Sequence, residues 1–153
     1  MAVSVAGPFA GTIDRERDRP GWPVAVFFLA LASALGFASR TAVISGTEFA
    51  SVWPSAGVTV LWLLVRRARP VSVDTALMFG SMFGFGLMTQ IAPGLALTLA
   101  VVHTLQTLVV VALLRRYVPD LWGCGGTRPL DSPRMLAAYL ACIAAGVLAG
   151  GVV

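Results

Sequence analysis

The chain has no lysine, one histidine and two cysteines, and only 12% of its 153 residues are charged. Soluble domains carry about 25% charged residues, so half the usual polar cover is missing. With 58% hydrophobic residues and a mean hydropathy of +0.86, a water-soluble fold of this size could not hide its apolar surface. An integral membrane protein is expected, all-α and built as a polytopic bundle. The scarce reactive residues exclude more. Cys124 lies in a polar loop and Cys142 in an apolar segment, with no CxxC spacing. A lone His103 without a carboxylate beside it makes a poor metal site. Neither a cofactor nor a metal is expected. The glycines of GCGGTRPLDSP match no phosphate-binding loop or dinucleotide fingerprint. No polar loop holds a nucleophile–base pair, and no kinase, cyclase or phosphodiesterase motif occurs, so the chain is not expected to be an enzyme.

Five apolar runs are present, at 22–39, 49–65, 71–92, 95–114 and 135–153. A spanning helix needs about 17–25 residues, and all five qualify, the second narrowly. The 11 arginines are distributed by segment: Arg15, Arg17 and Arg19 precede the first run, Arg66, Arg67 and Arg69 follow the second, and Arg115, Arg116, Arg128 and Arg134 follow the fourth. Only Arg40 falls on the other side if all five runs cross. The positive-inside rule then makes the N-terminus cytoplasmic, in a multi-pass protein of a bacterial inner membrane. The same distribution explains the basic net charge of +4 without nucleic acid as a partner. Residues 1–20, with their DRERDR run, read as a disordered cytoplasmic tail, and 21–153 as one membrane-embedded domain. The first run reads as an uncleaved anchor rather than a signal peptide. The 117–133 loop reads as an ordinary cytoplasmic connection, and the link between the third and fourth runs as Pro93-Gly94.

Several residues could carry function. In LALTLAVVHTLQTLVVVALLRR, His103, Gln106 and Thr107 share one helix face. Polar groups in hydrocarbon need partners, so this face should point into the bundle or a wet cavity. It can serve as a structural hydrogen-bond cluster or as a site that senses a ligand, proton or signal. Trp53, Pro54 and Gly57 form the entrance to the second run: an interfacial ring, a first-turn proline, and a small residue admitting a neighbour. Gly80 with Gly84, and Gly146 with Gly150, are spaced for close helix packing, within one chain or between two. Asp74 is placed to pair with Arg69 or to hold a helix N-terminus.

Two stretches together resemble a known family. VWPSAGVTVLWLL, Val52 to Leu64, is similar to the Trp-Pro-x-x-Gly entrance of the first membrane-associated sensor (MASE) domains of bacterial signalling proteins. HTLQTLVVVALLRR, His103 to Arg116, resembles the Asn-Thr-Leu-Glu helix of that family, which ends in a basic pair. The resemblance covers about Trp22 to the end, roughly the N-terminal half of such a domain. It implies a non-catalytic membrane module that passes a signal to a cytoplasmic diguanylate cyclase or histidine kinase. Two positions depart from the pattern: His103 stands for Asn and Gln106 for Glu, which removes an acidic group. A truncated or split domain is expected, since the last run ends at Val153 without flanking charge. Besides the lipid bilayer, its partners would be a separate output protein, a second membrane half, or a second copy forming a homodimer. The alternatives are a small transporter or channel subunit assembled from several chains, and a remnant without function.

Overall fold

The computed structural model describes residues 21–39, 54–124, 126–129 and 131–151. The tail 1–20 and the entrance residue Trp53 lie outside the described residues. All five apolar runs contribute a helix: α1 (Trp22–Ser39), α2 (Pro54–Val65), α3 (Val73–Met88), α4 (Pro93–Tyr117) and α5 (Pro133–Gly151). The described residues form no β-strand, only two isolated bridges in the loop after α4, so the protein is all-α.

Two of the helices, α1 and α4, are long and apolar enough to cross a membrane. The other three are shorter apolar helices. At about 1.5 Å per residue, the 12 residues of α2 and 16 of α3 extend roughly 18 and 24 Å, below the ~30 Å of a hydrocarbon core.

Helix α4 is central, packing against α2, α3 and α5, while α1 packs against α2 and α3. Among the described residues α5 touches no helix but α4. The interior gathers at one end of the bundle, around Trp62, Leu63, Met78, Leu114 and Leu121. Toward the other end the helices approach through small residues. Gly36 lies against the ring of Phe85, and a Cβ added at Gly86 would come 2.7 Å from Cβ of Ala96.

Two helix ends are closed by the same device. After α2, Arg67 adopts φ 49°, its N–H donates to Leu64 O, and the Ala68 N–H donates to Leu63 O. After α3, Gln90 adopts φ 62°, donating to Leu87 O, while Ile91 donates to Gly86 O. Both are Schellman closures that turn the last free carbonyls inward. They occur without glycine at the left-handed position, so the sequence gives no warning of them. The second closure ends α3 at Met88 rather than at residue 92. The α3–α4 link is therefore Thr89–Ala92, and Pro93-Gly94 opens α4 instead of forming the turn. A proline at the first helical position costs no hydrogen bond.

The loop after α4 is more ordered than a plain connection. Trp122 N–H donates to Arg128 O and Arg128 N–H to Asp120 O, folding the segment back on itself. Leu121 is buried in the core. Gly123, at φ +87°, lies 3.2 Å from Cβ of Leu64, measured from where its own Cβ would stand, so a side chain there would be strained and crowded. Burial pushes the neighbouring Cys124 thiol up from its ordinary range, and the Arg115 charge partly opposes the shift. The thiol therefore stays protonated at neutral pH. Its maleimide labelling rate is expected to climb only above the usual thiol range of about 8.5, and Arg115→Gln should move that rise to still higher pH. A rate–pH profile on a Cys142→Ala background measures both.

Candidate functional site

Helix α2 carries Ser55, Thr59 and Trp62, and Arg66 follows directly after its last residue, at steps of four, three and four residues, which places them along one face. Ser55, Thr59 and Trp62 are each fully buried. This face is a polar column down an otherwise apolar helix, met by α4 at mid-length and by α3 at its far end.

At mid-length the partner residues are His103 and Thr107. Thr59 donates its proton to Ala56 O at 2.9 Å, and Thr107 donates to His103 O at 2.9 Å. Thr59 Oγ1 also stands 3.2 Å from His103 Nε2, in a hydrogen bond whose direction follows the imidazole tautomer. The two threonine oxygens stand 3.4 Å apart. His103 is half-buried, and its Nδ1 has no hydrogen-bond partner among the described residues. Ser55 Oγ and Thr104 Oγ1 are also buried without a partner there. Among the described residues, α2 and α4 therefore hold buried hydroxyls whose hydrogen-bonding capacity is unused.

At its far end the column meets Asp74, which is buried in the first turn of α3. Trp62 Nε1 donates to Asp74 Oδ1 at 3.0 Å, Arg66 Nε donates to the same oxygen at 3.0 Å, and Arg66 Nη2 donates to Oδ2 at 3.3 Å. Arg66 also reaches Gly21 O at 3.2 Å, tying in the start of α1. The Asp74 partner is thus Arg66 rather than Arg69, and the N-cap of α3 is Ser72. Arg69 contributes its carbonyl instead, which receives Thr75 Oγ1 at 3.2 Å. Arg115 plays a parallel part from α4, donating to Ala68 O at 2.9 Å and Leu63 O at 3.2 Å across the closed end of α2.

The residues singled out in the sequence separate under this geometry. His103 and Thr107 join one cluster with α2. The side chain of Gln106, one residue away, makes no hydrogen bond among the described residues, and its backbone carbonyl faces Gly146 of α5. Pro54 and Gly57 are exposed, and nothing lies within 4 Å of a Cβ at Gly57, so α4 is met by Ser55 and Thr59 instead. Gly80 and Gly84 likewise face open space, and no helix among the described residues packs on them. Gly146 lies directly against the Val110 side chain, and the surroundings of Gly150 are outside the described residues. Thr59 was legible only as one of several small polar residues in α2; the 55–59–62–66 spacing is the signal that finds it. Among the described residues no group of three His, Cys, Asp or Glu side chains could hold a metal ion.

The arrangement defines an all-α protein with a polar column shared by three apolar helices. Comparison with known proteins adds no name to that class: no protein family, curated protein or solved structure matches the chain.

Proposed function

We propose that this protein is a signal-input module of a bacterial inner membrane, a five-span helical bundle that is itself non-catalytic and acts on a separate cytoplasmic output protein. The observation that carries the reading is the His103–Thr59–Thr107 cluster, in which an imidazole held by one nitrogen has no partner for the other among the described residues. Polar and ionisable groups at such positions are costly and are associated with function. A cluster that links α2 to α4 lets occupancy of that nitrogen bias how two helices pack. The column continues toward Asp74 and Arg66, at the end where α2 and α3 meet their arginine-rich connection. The Trp-Pro-x-x-Gly and His-Thr-Leu-Gln blocks, similar to those of MASE domains, favour the same role. Membrane insertion is supported by the surfaces of α1 and α4: only 28% of each apolar window is buried, whereas the core helix of a soluble protein would be mostly covered.

The deciding experiment pairs two assays on the full chain. Proteoliposomes should show no solute or proton uptake above empty vesicles. The neighbouring reading frame is expected to encode a cyclase or kinase, and its product, co-expressed with the full chain, should change output severalfold on His103→Ala while the membrane level of the chain is constant. Robust uptake by the purified protein overturns the reading in favour of a transporter subunit. Reporter fusions after Arg69, Gln90 and Arg128 should alternate inside, outside, inside if five segments cross.

A further inference from the structure

The seven arginines of the described residues do two different jobs. Arg66 and Arg115 are consumed internally, by Asp74 and Gly21 O in one case and by Ala68 O and Leu63 O in the other. Arg128 and Arg134 are not: among the described residues neither guanidinium has a hydrogen bond or an ion pair. Both line an open cleft of about 300 Å³ between the end of α4 and the start of α5. They are brought there by the folded-back loop, in which the Arg128 N–H donates to Asp120 O and its carbonyl receives the Trp122 N–H. Tyr117 and Ser132 line the same cleft, together with the apolar Val118, Met135 and Ala138. Ser132 Oγ accepts from Met135 N–H at 3.3 Å, so it is already used as the cap of α5. Asp120 also borders the cleft, leaving two positive charges against one negative.

We infer that this cleft binds a phosphate-bearing anion, with Arg128 and Arg134 on the phosphate oxygens. Guanidinium forks match phosphate geometry and bind it by charge-assisted hydrogen bonds. The cleft also offers what a lipid needs and a free ion does not. Its apolar wall is formed by Val118, Met135 and Ala138. An acyl chain can lie there while the headgroup sits between the two arginines. Basic pockets between helices at a membrane surface are suited to anionic headgroups. This inference is independent of the sensing role, because no residue of the cleft belongs to the polar column.

The test uses the purified full chain in a mild detergent and counts bound ligand by native mass spectrometry. The probes are phosphatidylglycerol, phosphatidylcholine and inorganic phosphate, each titrated separately. Phosphatidylglycerol is expected to bind more tightly than phosphatidylcholine. Affinity should fall about fivefold with either Arg128→Gln or Arg134→Gln, and about 25-fold with both, at ~1 kcal/mol per arginine near a charged surface. Arg69→Gln removes an exposed arginine outside the cleft and should leave binding within twofold. Equal, competing binding of inorganic phosphate would assign the site to a free anion, whereas failure to compete would assign it to lipid. The inference is overturned if the double variant binds as the wild type does, or if Arg69→Gln loses as much. Both cleft arginines are exposed, so the thermal midpoint should stay constant and a binding loss can be read directly.

Discussion

Replacing Asp74 by alanine is expected to lower the unfolding free energy by about 3–5 kcal/mol, the range for removing one partner of a buried ion pair. The carboxylate is nearly fully buried and receives three hydrogen bonds from two residues. Removing it strands the Trp62 indole N–H in the core and leaves the Arg66 charge without its counter-ion among α2, α3 and α1. Asp74→Asn keeps one acceptor oxygen and should cost less, because the indole bond can survive while the charge pairing cannot. Denaturant titration in detergent, followed by tryptophan fluorescence, measures both variants. The double variant Asp74→Ala/Arg66→Met discriminates further: removing both charges should recover part of the loss, since an apolar pair of similar volume avoids the buried unpaired charge. Equal stability of Asp74→Ala and wild type would mean that this end of the bundle is open to water.

The second large effect is expected at Gly86. A valine there must place its Cβ where Ala96 stands, 2.7 Å from that residue's Cβ and 3.3 Å from its Cα. The backbone contact cannot be relieved by a rotamer change, so α3 and α4 must separate, at a cost of about 1–3 kcal/mol for overpacking. Gly80→Ala and Gly84→Ala are the contrast. Both positions face open space, and alanine should gain up to about 1 kcal/mol of helix propensity. Thermal unfolding of the three variants in one detergent gives the ranking. If Gly80→Ala or Gly84→Ala instead weakens a dimer in crosslinking, a second copy packs on that face.

How much of this was legible beforehand depends on what sets each feature. The five helices follow from unbroken apolar runs, and the start of α1 at Trp22 and the body of α4 at 95–114 followed from composition alone. Their ends were harder. The closures at Arg67 and Gln90 use non-glycine residues, so they carry no local signature, and the end of α3 was placed too late. The His103–Thr107 face was visible as helix spacing, but its partner was not: a threonine in an apolar run is unremarkable until a second helix faces it. Gln106 shared the spacing but lies toward α5, since a 100° step per residue separates neighbours on a helix. Asp74 shows the limit most plainly. Sequence distance favoured Arg69, whereas Arg66 sits at the end of α2 on the same face as Trp62, and only the fold reveals that they share a side. Gly80-x-x-x-Gly84 had the spacing for packing but meets no helix among the described residues, so its packing face is left for a second chain, and Gly86 had the contact without the motif.

Because among the described residues α5 meets the other helices through α4 alone, its attachment forms a separable layer of the architecture. The polar column, the Asp74–Arg66 junction and the Gly86–Ala96 approach are complete without it. During synthesis the first four helices can therefore settle into their mutual arrangement before α5 leaves the ribosome, and its seating becomes a later step with its own equilibrium. Native-state hydrogen exchange would register that step as a distinct opening unit, with amides of α5 exchanging at a lower free energy than those of α2 and α4.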